Sequence, residues 1–328
     1  MRDRLTAVLA AGVMLTLAAC GGGDDNPNGE DDADGLIDVV VGVSSVVDVS
    51  PVYLGIQEGF FEDHGLNVTP QNTSGGGAAL LPSVISGEVD FAYGNLVSLM
   101  IAHEQGLDVR VVAHGSSSPG RGSEQGALLV LPDSDIQSAA DLEGRTVAVN
   151  SLESLTEVMV RDAIATEGGD PDAVELVELS LGDMQAALEN GDVDAITTFE
   201  PFTTIGEQDG ARSVYQIFDL TESGRTFIAG YFTSGAFAEE NPDLVEAFTA
   251  AIGESLDFAE ENPDEVRAIV PTYLDLDQSI IDEMAMPLFG SEMDIDGAQE
   301  LADIVTDYGV LEQPMDVREF FVLPEGAE

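Results

Sequence analysis

The chain has 328 residues, 63 of them acidic and 10 basic, for a formal net charge of −53. Such a field excludes nucleic acid and anionic membrane surfaces as electrostatic partners. One cysteine excludes an internal disulfide, so the fold must rest on its apolar core, and the length is enough for two domains.

Arg2 and Arg4 precede Leu5 to Leu17, an uncharged apolar run. A membrane-spanning helix needs roughly 20 apolar residues. The shorter run fits the apolar region of a secretory signal peptide, expected over 1–19. Leu17-Ala18-Ala19-Cys20 resembles a bacterial lipobox, which implies cleavage before Cys20, a thioether-linked lipid on its sulfur and acylation of the new amino terminus. The alternative is a plain signal peptide with an incidental cysteine. Two or more acyl chains would anchor the protein stably, where one gives only marginal binding. Gly21 to Gly35 has no apolar periodicity and reads, with Cys20, as a disordered acidic tether over 20–35. All ten bases are arginine. A GC-rich genome accounts for absent lysine but not for the surplus of acids, so salt adaptation is expected: salt shortens charge repulsion to about 3 Å at 1 M.

From Leu36 onward, apolar runs and helical spacings alternate. Residues 36–43 read as a buried strand, and 51–61 as a helix with Val52, Ile56 and Phe60 on one face. Gly65 reads as its stop, and 66–70 as a strand. The glycine loop 74–78 leads into a helix through Ile85. Strands follow at 90–93 and 109–113, with a helix over 96–104 between them. The second half repeats the scheme: strands at 127–131, 146–149, 174–179 and 195–199, and helices at 153–167 and 183–189. A polar link then reaches a strand at 227–233, beyond which the chain reads helical. Asn241-Pro242 and Asn262-Pro263 mark helix starts. The segments SGEVDFA (86–92) and NGDVDAI (190–196) use one device twice: a helix end, a glycine, then Asp before an apolar strand. This alternation predicts an α/β protein of mainly parallel sheets flanked by helices. Two lobes that echo each other predict a cleft between them, where ligands bind at strand C-termini.

YLGIQEGFFEDHGLNV (53–68), SGEVDFAYGN (86–95), GRTVAVNS (144–151), NGDVDAITTFEP (190–201) and NPDLVEAFTAAIGESLDFAEENPDEV (241–266) resemble the solute-binding proteins of ABC importers. Within them the likeness is to the nitrate/sulfonate/taurine and thiamine-pyrimidine-precursor group, in order over nearly all of 37–321. It implies a two-lobed type II periplasmic-binding-protein fold with two crossover strands, which closes on one small molecule and docks on a membrane permease. Lobe one would be 37–122 plus 228–328, and lobe two 123–227, with crossings near 121–127 and 226–231. A monomer is expected.

Candidate ligand contacts cluster at strand ends. Ser44 and Ser45 end the first strand. The loop at 74–77, with Gly76 at its centre, precedes a helix whose N–H groups attract polar or anionic groups. Asn95, Asn150 and Ser151 stand between a strand and a helix. Each also reads as an ordinary cap or turn. His114 follows a strand. Tyr93, Phe199, Phe202, Tyr231 and Phe232 flank the expected cleft, as stacking surfaces or as core. Arg121 and Arg225, at the crossings, offer charge to an anion or pair with local acids. Glu200 closes a strand, and the resemblance implies acids in the pocket of pyrimidine-precursor binders, where they hold an exocyclic amine. It is equally one surface acid among many.

Three separated histidines and one cysteine argue against a zinc site. No cofactor is expected. The expected role is therefore binding rather than catalysis. The same fold hosts a pyrimidine synthase that uses a PLP-bound lysine and a cysteine-rich motif, but this chain has no lysine for an internal Schiff base. The solute is left between a heteroaromatic amine and a sulfonate, taurine or nitrate.

Overall fold

The computed structural model describes residues 35–73, 77–118, 125–218, 220 and 226–322. The expected signal peptide, Cys20, the tether before Gly35, Gly76, Arg121 and Arg225 lie outside the described residues.

Ten strands form two sheets of five. The first contains β1 (Ile37–Ser44), β2 (Leu66–Thr73), β3 (Phe91–Asn95), β4 (Val109–Ser117) and β10 (Phe227–Ser234), in the order β2-β1-β3-β10-β4. The second contains β5 (Gly126–Val130), β6 (Thr146–Val149), β7 (Glu175–Glu178), β8 (Ala195–Phe199) and β9 (Arg212–Gln216), in the order β7-β6-β8-β5-β9. β1 pairs in parallel with β2 and β3, and β6 with β7 and β8. β10 and β5 are antiparallel to both their neighbours. Four strands of each sheet therefore run one way and a single inserted strand runs back. Each inserted strand is the one arriving from the other lobe, so among the described strands the reversals fall at the two crossings.

Helices cover these sheets. On the first lie α1 (Ser50–Glu58), α2 (Phe60–Asp63), α3 (Leu81–Ser86) and α4 (Leu96–Glu104). The second carries α5 (Leu155–Thr166), α6 (Leu181–Asn190) and α7 (Phe202–Gln208). After β10 come α8 (Gly235–Glu240), α9 (Pro242–Glu261), α10 (Pro263–Ile269), α11 (Gln278–Glu283) and α12 (Ile295–Asp307). The helix expected over 51–61 breaks at Gly59, whose φ of +83° caps α1 in the left-handed region. The polar link before β10 holds two elements that the sequence pattern missed. α7 opens with Phe-Thr-Thr and shows little periodicity, and β9 is a half-buried edge strand with no clean alternation. Asn241 and Asn262 do stand at helix starts, but their side chains serve the preceding helix: each Nδ2 donates to a carbonyl four residues back, Phe237 at 3.1 Å and Phe258 at 2.8 Å.

One continuous cluster runs through both lobes: Val41, Leu54, Leu99 and Phe232 belong to it on the first side, where Phe91 stacks on Phe248 of α9 at 3.9 Å, and Val147, Val158 and Ile164 on the second. In the second lobe Leu129, Met184, Leu188 and Ile196 form a smaller cluster under α6. Fully burying one such side chain stabilises by about 1.5–3 kcal/mol.

Candidate ligand-binding cleft

Strand direction places the cleft. β4 ends at Ser117 and the chain enters β5 at Gly126; β9 ends at Gln216 and the chain re-enters the first sheet at Phe227. Both crossings thus join C-terminal strand edges, so the C-terminal edges of the two sheets face each other. The crossings touch: Ser118 N–H donates to the Thr226 carbonyl at 2.9 Å. Residues 284–290 lie alongside them, with Leu288 exchanging two backbone bonds with Ser117, each 2.9 Å.

On the first sheet's edge stand Ser44, Ser45, Asn95 and the serines that end β4. Ser44 is nearly buried, and Ser45 donates to Asn72 Oδ1 at 3.2 Å. Asn95 caps α4, its Oδ1 accepting from Ser98 N–H at 2.8 Å. Tyr93 pairs across the strands with Tyr231, their rings 5.6 Å apart and tilted edge to face. His114 is fully buried. Its Nδ1 lies 2.8 Å from the Gly290 carbonyl and its Nε2 2.9 Å from Ser117 Oγ, so it ties the 284–290 segment to β4.

On the second sheet's edge, Asn150 Oδ1 accepts a short 2.5 Å bond from Thr156 Oγ1, and Ser151 Oγ donates to the Leu152 carbonyl. Both organise the turn into α5. Glu200 is 2 % exposed. Its Oε1 accepts from Thr204 Oγ1 at 2.9 Å and from Ala285 N–H at 3.0 Å, and its Oε2 accepts from Thr204 N–H at 3.2 Å. The Ala285 bond crosses between lobes. Beside it, Gln208 Nε2 donates to Glu283 Oε2 at 2.8 Å. Burial raises the Glu200 carboxyl above the usual range, against the bonds from Ala285 and Thr204. A cavity of about 300 Å³ adjoins this contact, between α7 and α11. Elsewhere Tyr308 at the end of α12 donates to Asp162 of α5 at 2.9 Å. A groove of about 1690 Å³ runs instead along β4 and α9 from Arg110 to Val322, away from the C-terminal strand ends.

A group that the sequence reading did not single out occupies the turn after β1. Asp48 sits in a single 3-10 turn, Val47–Val49, and is 8 % exposed. Ser116 Oγ donates to its Oδ1 at 2.7 Å, and Tyr93 OH lies 2.7 Å from the same Ser116 oxygen. Tyr53 and Tyr273 stack at 4.1 Å nearby, with Ser50 Oγ 2.8 Å from Tyr273 OH. Burial pushes the Asp48 carboxyl up, opposed by the hydroxyls of Ser116 and Tyr93. Burial, then the Asp48 charge, holds Tyr93 and Tyr231 well above the ordinary phenol range. The available signal was an acid within an apolar run, Val46-Val47-Asp48-Val49, directly after a strand.

Arginine is scarce along these edges. Arg110, Arg145, Arg161 and Arg318 pair with carboxylates, and Arg212 and Arg267 with backbone carbonyls. Among the described residues no cluster of His, Cys, Asp and Glu forms a metal site, and no helix is long and apolar enough to cross a membrane.

Comparison with known proteins agrees with this architecture. The chain is 22 % identical over 325 residues to an aliphatic sulfonates-binding protein of Bacillus subtilis (strain 168), covering 95 % of this chain and 92 % of that one. The alkanesulfonate-binding protein SsuA from Xanthomonas axonopodis pv. citri, bound to MOPS, superposes with a TM-score of 0.73 at 19 % identity, covering 87 % of this chain and 98 % of that one. The desulfurization enzyme DSZB shares the fold at a TM-score of 0.64 and 18 % identity, over 88 % and 96 % of the two chains. These likenesses establish a two-lobed periplasmic-binding-protein fold. Residues 47–266, more than half of the chain, match the NMT1/THI5 like family, and the protein belongs to that family.

Proposed function

We propose that this protein is an extracytoplasmic solute-binding protein, anchored through lipidated Cys20, that closes its lobes on a small organic solute and delivers it to an ABC permease as a monomer. The observation that carries this reading is the pair of facing C-terminal strand edges, lined by hydroxyls, amides and tyrosines and joined by two crossings. Closure by hinge motion follows from such connections. It requires a ligand that touches both lobes only when they are shut. The lipobox-like Leu17 to Cys20 supports the anchor, with the acidic tether holding the lobes off the membrane.

The favoured solute is a planar heteroaromatic amine such as a thiamine pyrimidine precursor. Acids stand at the described strand ends, while every described arginine is engaged elsewhere. A sulfonate is the second reading, favoured by the sulfonate-binding names of the relatives, with Arg121 and Arg225 as its charge partners. Binding without turnover is the expected behaviour, since the chain lacks lysine and carries one cysteine. A thermal-shift screen at high salt, with aminopyrimidines, taurine, alkanesulfonates and nitrate, tests the assignment. Saturation at 100-fold over Kd stabilises by about 2.7 kcal/mol. A shift with at least one compound and no product formation is expected. No shift with any compound, or measurable turnover, would overturn it.

A further inference from the structure

We infer that Asp48 is the anchor for a cationic N–H group of the solute, a role that rests on the solute-binding reading and deepens it. The carboxylate is buried at the end of β1, on the sheet edge that faces the cleft. Among the described residues no arginine or histidine pairs with it; its hydrogen bonds come from neutral groups, the Ser116 and Tyr93 hydroxyls and its own backbone N–H. A buried carboxylate without a counter-charge is costly, and the cost is removed when a cation is supplied.

The neighbours are arranged for such a group. Tyr93 and Ser116 hold the carboxylate together: their hydroxyl oxygens lie 2.7 Å apart and Ser116 Oγ donates to Asp48 Oδ1 at 2.7 Å, fixing the carboxylate in one orientation. Tyr231 is fully buried beside Tyr93, and its hydroxyl has no partner. An unpaired buried hydroxyl is costly, because it has given up water without gaining a partner. Its oxygen has a free site for a second N–H of the same solute group. Ser44, Asp48 and Tyr93 each keep a small residual exposure. The rings of Tyr53 and Tyr273 stack within reach of the Asp48 charge, with Ser50 Oγ 2.8 Å from the Tyr273 hydroxyl. A primary ammonium and a protonated aminopyrimidine both carry this chemistry. A simple alkanesulfonate carries none of it.

The test uses the full chain at high salt and isothermal titration with matched pairs: taurine against ethanesulfonate, and 4-amino-2-methylpyrimidine against 2-methylpyrimidine. The amine-bearing member of at least one pair should bind about tenfold or more tighter than its partner, and the pair that does so identifies the solute class. Asp48→Asn should erase that difference while leaving the melting temperature of the ligand-free protein equal or higher, because it removes a buried unpaired charge and keeps the hydroxyl contacts. Tyr231→Phe should weaken the amine and leave the ligand-free protein no less stable. A binding member whose preference survives Asp48→Asn overturns the inference while leaving the solute-binding reading intact. If no compound binds the wild type, that reading fails first. A drop in ligand-free melting temperature for Asp48→Asn then shows a structural strut and overturns the inference independently.

Discussion

Glu200 places an ionisable group on the boundary between lobes, where one carboxylate accepts hydrogen bonds from both sides. Its two oxygens hold the first turn of α7 and the backbone of Ala285, so it ties the second sheet's edge to the 284–290 segment. Burial raises its folded pKa above the ordinary glutamate range. The folded protein therefore keeps this proton at pH values where the unfolded chain has lost it. The associated stability is fully present below the unfolded pKa and is lost as pH rises through the folded one. Comparison with Glu200→Gln isolates the effect, because the other acids are common to both proteins. Wild type should be more stable relative to Glu200→Gln at about pH 4 than at about pH 7, measured by urea unfolding at constant high salt. A difference independent of pH would show that the carboxyl titrates normally.

The duplicated segments at 86–92 and 190–196 become one structural device at the scale of the element. Gly87 and Gly191 end α3 and α6 with φ of +76° and +73°, a left-handed region that glycine enters without a Cβ clash. Three residues on, Asp90 Oδ2 accepts from Val40 N–H at 2.8 Å, and Asp194 Oδ2 accepts from Thr146 N–H at 2.8 Å. The return bonds run from Asp90 N–H to the Val40 carbonyl at 3.0 Å and from Asp194 N–H to the Thr146 carbonyl at 2.8 Å. Each aspartate thus clamps the entry of β3 or β8 onto the neighbouring parallel strand and fixes its register. Asp90→Ala and Asp194→Ala should each cost about 1–2 kcal/mol, because a strand N–H loses its acceptor. Asp90→Asn keeps the acceptor and removes a charge whose pKa burial already raises, so it should be near neutral. Denaturant titration of the three variants checks this, and an Asp90→Asn as damaging as Asp90→Ala would refute the clamp.

Net charge is a property of the whole molecule. With 63 acids against 10 arginines, repulsion opposes the compact state. The described arginines are each held by a carboxylate or a carbonyl, so they relieve that repulsion only locally. Salt adaptation predicts that unfolding free energy rises as salt increases from near zero to about 2 M, since the screening length falls to about 3 Å by 1 M. Equal stability at both ends would rule it out. The charge, the alternation of strands and helices and the doubled glycine-to-aspartate device were legible in the sequence alone, because each depends on composition or on residues close along the chain. The α7 and β9 elements were not, since a seven-residue helix and an edge strand of half-buried residues leave weak periodicity. The tertiary structure alone decided the company each polar residue keeps. His114 meets Gly290, Glu200 meets Ala285, and Asp48 meets Ser116 across 68 residues. Only long-range packing sets such contacts, and among the described residues it leaves the buried carboxylate of Asp48 without a cation of its own.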